Sequence, residues 1–394
     1  MTKKYVLKES TKKRCRTERL NRELLGKYLP INLDGYNLLF DSPGIEFNIY
    51  VKIDDLMVEY IKPAEFTRVL LESALKATLE GGADVRLYIL RSEIQKFFGV
   101  LDDIRERKIK SLIEKDPSID PKTLYVFNDL SGASQMIASC GINPEVASKA
   151  KAAAAYMVTN LMDNELAAGS LSRMISTDPS LYDHCASVAM FAGIIAGQNN
   201  SLKKMDRRAI STLVQAGLYH DVGKPLIPSH ILNKPGSFTN EEFEIMKRHS
   251  RFGHTELVKS IEKGAPIDPM VPRVALEHHE RMNGSGYPDG KRGREENDPV
   301  NGIHLYSRII AVADAYSALL MKRVYKPAVP AGEALKLMSK NALTDFDAEI
   351  FNSFAASVVS SMEKVQNRAK GNIYMMDIEE SIAKQILKNR LNKS

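Results

Sequence analysis

The stretch Ser211-Thr212-Leu213-Val214-Gln215-Ala216-Gly217-Leu218-Tyr219-His220-Asp221-Val222-Gly223-Lys224-Pro225 is the place from which the chain is best read outward. Ser211 to Tyr219 reads as an apolar helix, and its end delivers a histidine and an aspartate side by side. Adjacent side chains on a helix project about 100° apart, so an imidazole can meet one metal ion while the carboxylate reaches between two. A single His-Asp pair is a weak signal. Its surroundings give it meaning.

On either side the pattern is helix after helix with short Gly or Pro punctuation, over 180–197, 206–220, 240–262, 268–281, 302–322, 330–341 and 346–367. The second half is therefore expected to be all-α. All eight histidines fall between His184 and His304. His184 lies on the helix before the His-Asp pair and His249 on the helix after it. His278-His279 closes a further helix. Asp314 sits inside the apolar run Arg308-Ile309-Ile310-Ala311-Val312-Ala313-Asp314, where a carboxylate is costly unless it is paired or binds a cation. Each residue alone has an ordinary explanation, such as a structural histidine, a helix-end pair or an ion-pair partner. Five imidazoles and two carboxylates from separate helices suit Fe, Mn or Zn, and not Mg or Ca, which prefer oxygen ligands.

The first half is different. Glu46 to Ile53 alternates with period two, as a half-buried strand does, and Val85 to Leu90 reads as another strand. A helix starts near Pro63 and ends at Gly81-Gly82, and a second runs from Glu93 to about Glu114. Residues 28–135 are expected to form a small α/β domain without a catalytic cluster. The Ala-rich segment from Pro144 to Met174 is expected to be helical and to link the two halves. Overall the chain is α+β.

Composition sets the limits. The 394 residues are 44% hydrophobic and 26% charged, ordinary for a globular protein of two or three domains. Of the net charge of +6, residues 1–27 hold an excess of seven basic groups, with ten Lys or Arg against three Asp or Glu. The basicity thus belongs to a tail, expected to be solvated, and does not call for nucleic acid. Val188 to Gly197, the longest apolar stretch near the histidines, is about half of what a membrane span needs. The N-terminus carries no apolar core with a cleavage site. Cys15, Cys140 and Cys185 are few and odd in number, so no disulfide framework is expected and a reducing cytoplasm fits.

Three motifs resemble the HD-GYP family of the HD phosphohydrolase superfamily over roughly residues 170–360. They are His220-Asp221-Val222-Gly223-Lys224, the stretch His278-His279-Glu280-Arg281-Met282-Asn283-Gly284-Ser285-Gly286-Tyr287-Pro288, and Arg308 to Asp314. The expected domain order is basic tail (1–27), α/β regulatory domain (28–135), helical linker (136–175), all-α catalytic domain (176–370), which the resemblance implies to be of HD type, and C-terminal helix (371–394). It implies cyclic di-GMP hydrolysis at a pair of divalent ions, Fe or Mn before Zn. His184, His220, Asp221, His249, His278, His279 and Asp314 match the metal ligands, with Asp221 bridging. Lys224 matches a lysine facing the scissile phosphate, Arg323 and Lys326 match basic nucleotide contacts, and Gly286 and Tyr287 belong to the loop of the family name. Signalling proteins and a second copy of the chain are candidate partners.

The chain also departs from the pattern. Ser180 stands where some members place a glutamate for a third metal, so two metals are expected and, by analogy with the family, a linear pGpG product in preference to full conversion to GMP. Ser317 replaces an aspartate and Val324 a proline, which keeps open a receptor that binds cyclic di-GMP without cleaving it. Of the remaining residues, His230 and His254 are expected at the surface or in caps, and His304 at the start of the Asp314 helix. Glu280 is expected either to orient a ligating histidine or to be an exposed helix-end charge.

Overall fold

The computed structural model describes residues 17–31, 38–53, 55–80, 86–181, 183–198, 205–232, 234, 236–321, 329–340 and 342–391. Among these residues five short strands form one antiparallel sheet: β1 (Thr17–Arg19), β2 (Tyr28–Pro30), β3 (Ile49–Ile53), β4 (Leu56–Ile61) and β5 (Arg86–Leu90), in the order β1-β4-β3-β5-β2. The period-two alternation sorts its two faces. Ile49, Val51, Leu87 and Ile89 point into one apolar cluster, while Tyr28, Tyr50, Met57 and Tyr88 form another on the opposite face. Part of the segment read as a solvated tail is thus the edge strand β1, tied by Arg19 Nε to Asp55 at 2.8 Å.

Two helices pack with the sheet, α1 (Arg68–Glu80) and α2 (Ile94–Lys115). The second belongs to both halves of the molecule. Phe97, Phe98, Leu101 and Ile104 lie in the sheet's core, while Ile109 and Leu112 lie in the main helical core. Between them the buried Arg105 donates to Asn128 Oδ1 at 2.8 Å and Gln135 Oε1 at 2.5 Å, both on α3 (Pro121–Cys140). The guanidinium fork can satisfy several acceptors in one plane, which makes it tolerable inside.

The helical core continues with α4 (Pro144–Leu161), α5 (Ala167–Thr177), α6 (His184–Gln198), α7 (Arg207–Tyr219), α8 (Asn240–Glu262), α9 (Met270–Glu277), α10 (Leu305–Leu320), α11 (Ala331–Ser339) and α12 (Ala348–Leu391). Here the expectation of a linker needs correction. Ala147, Ala150, Ala154, Met157, Leu161 and Leu171 are fully buried in the same core as the histidine-bearing helices. Alanine-rich faces pack closely while giving a weak hydrophobic pattern, so the sequence reads as a connector where the fold uses a wall. Asp120, Asn143, Asp206 and Thr239 cap the starts of α3, α4, α7 and α8 with their side chains. Among the described residues no helix is long and apolar enough to cross a membrane.

Candidate metal centre

Helix ends bring most of the candidate ligands together. His184 opens α6, where Asp183 caps the helix by accepting from Ala186 N at 2.9 Å. His220 and Asp221 follow the last turn of α7, and His278 and His279 follow α9. His249 and Asp314 project from the middles of α8 and α10. The turn after Asp221 can press against α8 because residue 223 is glycine. A Cβ there would meet His249 O at 2.0 Å and Gly253 N at 2.5 Å.

The carboxylate of Asp221 lies between two groups of imidazoles. Its Oδ2 is 3.5 Å from His184 Nε2 and 3.2 Å from His220 Nε2. Its Oδ1 is 3.5 Å from His249 Nε2 and 3.8 Å from His278 Nε2. Asp314 faces His184 Nε2 at 3.2 Å through one oxygen and His279 Nδ1 at 3.9 Å through the other. Donor atoms held about 2.1 Å from an ion stand roughly 3.0–3.4 Å apart, close to this spacing.

Hydrogen bonding decides which atoms face inward. His220 Nδ1 lies 2.7 Å from Gly217 O, His249 Nδ1 2.7 Å from Met246 O, and His278 Nδ1 2.9 Å from Ala275 O. A carbonyl only accepts, so each Nδ1 carries the proton and each Nε2 presents a lone pair. Burial pushes His249 and His278 below the ordinary histidine range, which keeps them neutral. Asp221 Oδ1, His249 Nε2 and His278 Nε2 are then three acceptors facing one another. Asp221 Oδ1 and His220 Nε2 are buried without a hydrogen-bond partner among the described residues. Such a cluster of lone pairs is costly by itself and satisfied by a cation. The donor set fits divalent transition ions, in two overlapping groups that share Asp221: His184, His220, Asp221, and Asp221, His249, His278, His279.

The charges are distributed unevenly. Burial opposes ionisation of Asp221 and Asp314, but the neighbouring histidines, with Lys224 beside Asp221, outweigh it and hold both well below the carboxylate range. Burial also disfavours charge on His184, yet Asp221 and Asp314 overcome this and raise it to about 9. Burial takes His279 the other way, to about 3. Lys224, part-exposed at the edge, pairs with Asp221 Oδ2, and that pairing lifts its ammonium above its usual range despite burial.

Residues 169–350 match the model of the HD domain family. The match takes in the helices that carry the histidine cluster. Over 177 residues it is 36% identical to a cyclic di-GMP phosphodiesterase of Thermotoga maritima, covering 45% of this chain and 44% of that one. Over 190 residues it is 35% identical to a cyclic di-GMP phosphodiesterase of Pseudomonas aeruginosa, covering 48% of this chain and 42% of the relative. The chain thus matches less than half the length of these curated relatives. In fold it is similar to the solved structure of an HDG"Y"P protein from Bdellovibrio bacteriovorus. That similarity has a TM-score of 0.53 at 21% identity, covering 87% of this chain and 98% of the other. The resemblance to the HD-GYP family read from the three motifs holds.

All seven candidate ligands meet at one place. Tyr287 stands beside them, its ring 4.6 Å from that of His279. Gly286 permits this contact, since a Cβ would lie 2.4 Å from His279 O and 2.5 Å from Arg281 N. Arg323 and Lys326 lie outside the described residues. Ser317 is more than a departure, for its hydroxyl is 3.3 Å from His184 Nδ1. His304 caps α10, accepting from Tyr306 N at 3.1 Å; His230 is exposed and His254 half-buried.

Glu280 behaves in neither of the two expected ways. It is 2% exposed and accepts from the backbone of Asp289 at 2.8 Å and Lys291 at 2.9 Å, holding the Tyr287 loop. Glu277, on the other side of the two histidines, went unnoticed in the sequence. It accepts from Ser307 Oγ at 3.0 Å and His304 N at 3.2 Å, and pairs with Arg273 at 2.9 Å and Lys291 at 2.8 Å. Burial would raise it, but Lys291 and Arg273 prevail and hold it below the usual range.

Proposed function

We propose that the chain is a metal-dependent phosphodiesterase that hydrolyses cyclic di-GMP to pGpG through a dinuclear site. The observation that carries this reading is the carboxylate of Asp221, buried with one oxygen turned toward each of two imidazole groups. In this reading His184, His220, Asp221 and Asp314 would hold one ion, and Asp221, His249, His278 and His279 would hold the other. Bound there, two divalent ions such as Fe or Mn would supply Lewis acidity and neutralise charge on the phosphodiester.

The chain's own residues do the rest. Carbonyls of Gly217, Met246 and Ala275 fix three imidazoles in the tautomer that offers Nε2, so no reorientation is needed. Lys224 remains cationic at the edge of the cluster, placed to offset negative charge in the transition state or to give a proton to the leaving oxygen. Tyr287 and the close-packed Gly286 shape the rim where a nucleotide would rest. Arg323 and Lys326 are assigned to its phosphates and bases. Residues 28–135 take a regulatory role, and signalling proteins or a second copy of the chain are its partners.

The test is to incubate metal-loaded protein with cyclic di-GMP and to resolve the products by chromatography. Appearance of pGpG, lost in Lys224→Ala, is expected. Nucleotide bound but uncut would make the protein a receptor, and neither binding nor cleavage would overturn the proposal.

A further inference from the structure

A second cavity lies away from the histidines, where the first two turns of α7 meet α4 and the segment Pro266–Pro269. It has a volume of about 470 Å³, within the range of small-ligand sites. None of the candidate metal ligands lines it. Arg208 at its mouth is twelve residues from His220, about 18 Å along the helix.

Three features give it a chemical sense. Lys151, Arg207 and Arg208 stand exposed around it, and none of them makes an ion pair among the described residues. Among the described residues Asp268 is the single acid in the lining, and it is engaged by Met270 N at 3.0 Å and Thr212 Oγ1 at 3.3 Å. Two positive charges therefore remain uncompensated, which favours an anion. Second, Gln215 is 3% exposed and lines the cavity, and its Oε1 has no hydrogen-bond partner among the described residues. A buried amide oxygen left without a donor is costly, so the occupant should present an N–H. Third, Val158 and Ile267 add buried apolar wall suited to a flat ring.

We propose that this cavity binds a nucleoside monophosphate, its phosphate met by Lys151, Arg207 and Arg208 and an amino group of its base given to Gln215 Oε1. The site is separate from the metal centre and independent of what that centre does. Phosphate met by cationic side chains, with a base edge read by an amide, is a pairing of complementary donors and acceptors.

Binding of AMP, GMP, adenosine and inorganic phosphate to the full chain would be measured by calorimetry. One of the nucleotides is expected to bind about tenfold or more tightly than adenosine or phosphate alone. The exposed pair Arg207→Glu and Arg208→Glu together should weaken it about tenfold or more, and Gln215→Leu should weaken the nucleotide but not phosphate. If Gln215→Leu melts early, the surface pair still decides the matter. Binding should persist in Asp221→Asn. Loss there with the arginine pair indifferent would put the nucleotide in the metal centre and overturn the proposal. Phosphate binding as tightly as either nucleotide, or no nucleotide binding, would overturn it too.

Discussion

Loading the metal-free chain with Mn(II) at pH 7.5 should release about one proton from His184. The two aspartates raise this imidazole to about 9, so at pH 7.5 it is about 97% protonated. His249, His278, His279 and the two carboxylates need give up nothing. His249 and His278 are neutral through burial, His279 lies at about 3, and both carboxylates are already ionised. Displacing the His184 proton 1.5 pH units below its pKa costs about 2 kcal/mol, a factor of roughly thirty in apparent affinity. Affinity should therefore rise close to tenfold per pH unit between about pH 7 and 8.5. Stability of the metal-free protein should move the opposite way. Because the folded pKa lies above the ordinary value of about 6.5, the contribution is complete below that pH and is lost as pH rises toward 9. It amounts to about 3 kcal/mol at most. Calorimetry in two buffers of different ionisation enthalpy counts the protons, and His184→Asn isolates the share of this residue. Equal heats in both buffers, an affinity flat with pH, or the same release from the variant would refute the assignment of charge within the cluster.

Three further outcomes are expected. Asp221→Asn removes the charge shared by both imidazole groups, so elemental analysis should find both ions lost and phosphodiesterase activity reduced about a thousandfold or more, with the melting transition retained. Gly286→Ala forces a Cβ to within 2.4 Å of His279 O, so the loop must shift. Stability should fall by about 1–3 kcal/mol in denaturant titration, and the larger part of the activity should go. Glu280→Gln keeps the shape of the side chain but turns one acceptor into a donor facing a backbone N–H. It should cost about 1–3 kcal/mol and raise KM more than it changes metal content.

The candidate centre was legible because metal binding restricts residue type so strongly. His220-Asp221, His278-His279 and an aspartate inside the apolar run of α10 are improbable outside such a site, whatever the fold around them. Two strands were legible from alternation. The strand β4, whose burial does not follow period two, was passed over, as were the three-residue β2 and β1 within a basic stretch. What the sequence concealed is support supplied by backbone atoms. The partners of Glu280 are amides of Asp289 and Lys291, and an amide leaves no trace in residue identity. Glu277 looked like any helix-end acid, yet besides Arg273 of its own helix it gathers three groups from two distant segments. The burial of α4 and α5 was hidden for a related reason, since close contact of small side chains depends on the neighbour as much as on the sequence.

The two glutamates flanking His278-His279 have a consequence for order of assembly. They moor the segment from Arg281 to His304 through the backbone of Asp289, Lys291 and His304 and the ammonium of Lys291. None of these bonds uses one of the seven candidate metal ligands, so a variant that has lost its ions is expected to keep them, as slow amide exchange at Asp289 and Lys291 would report.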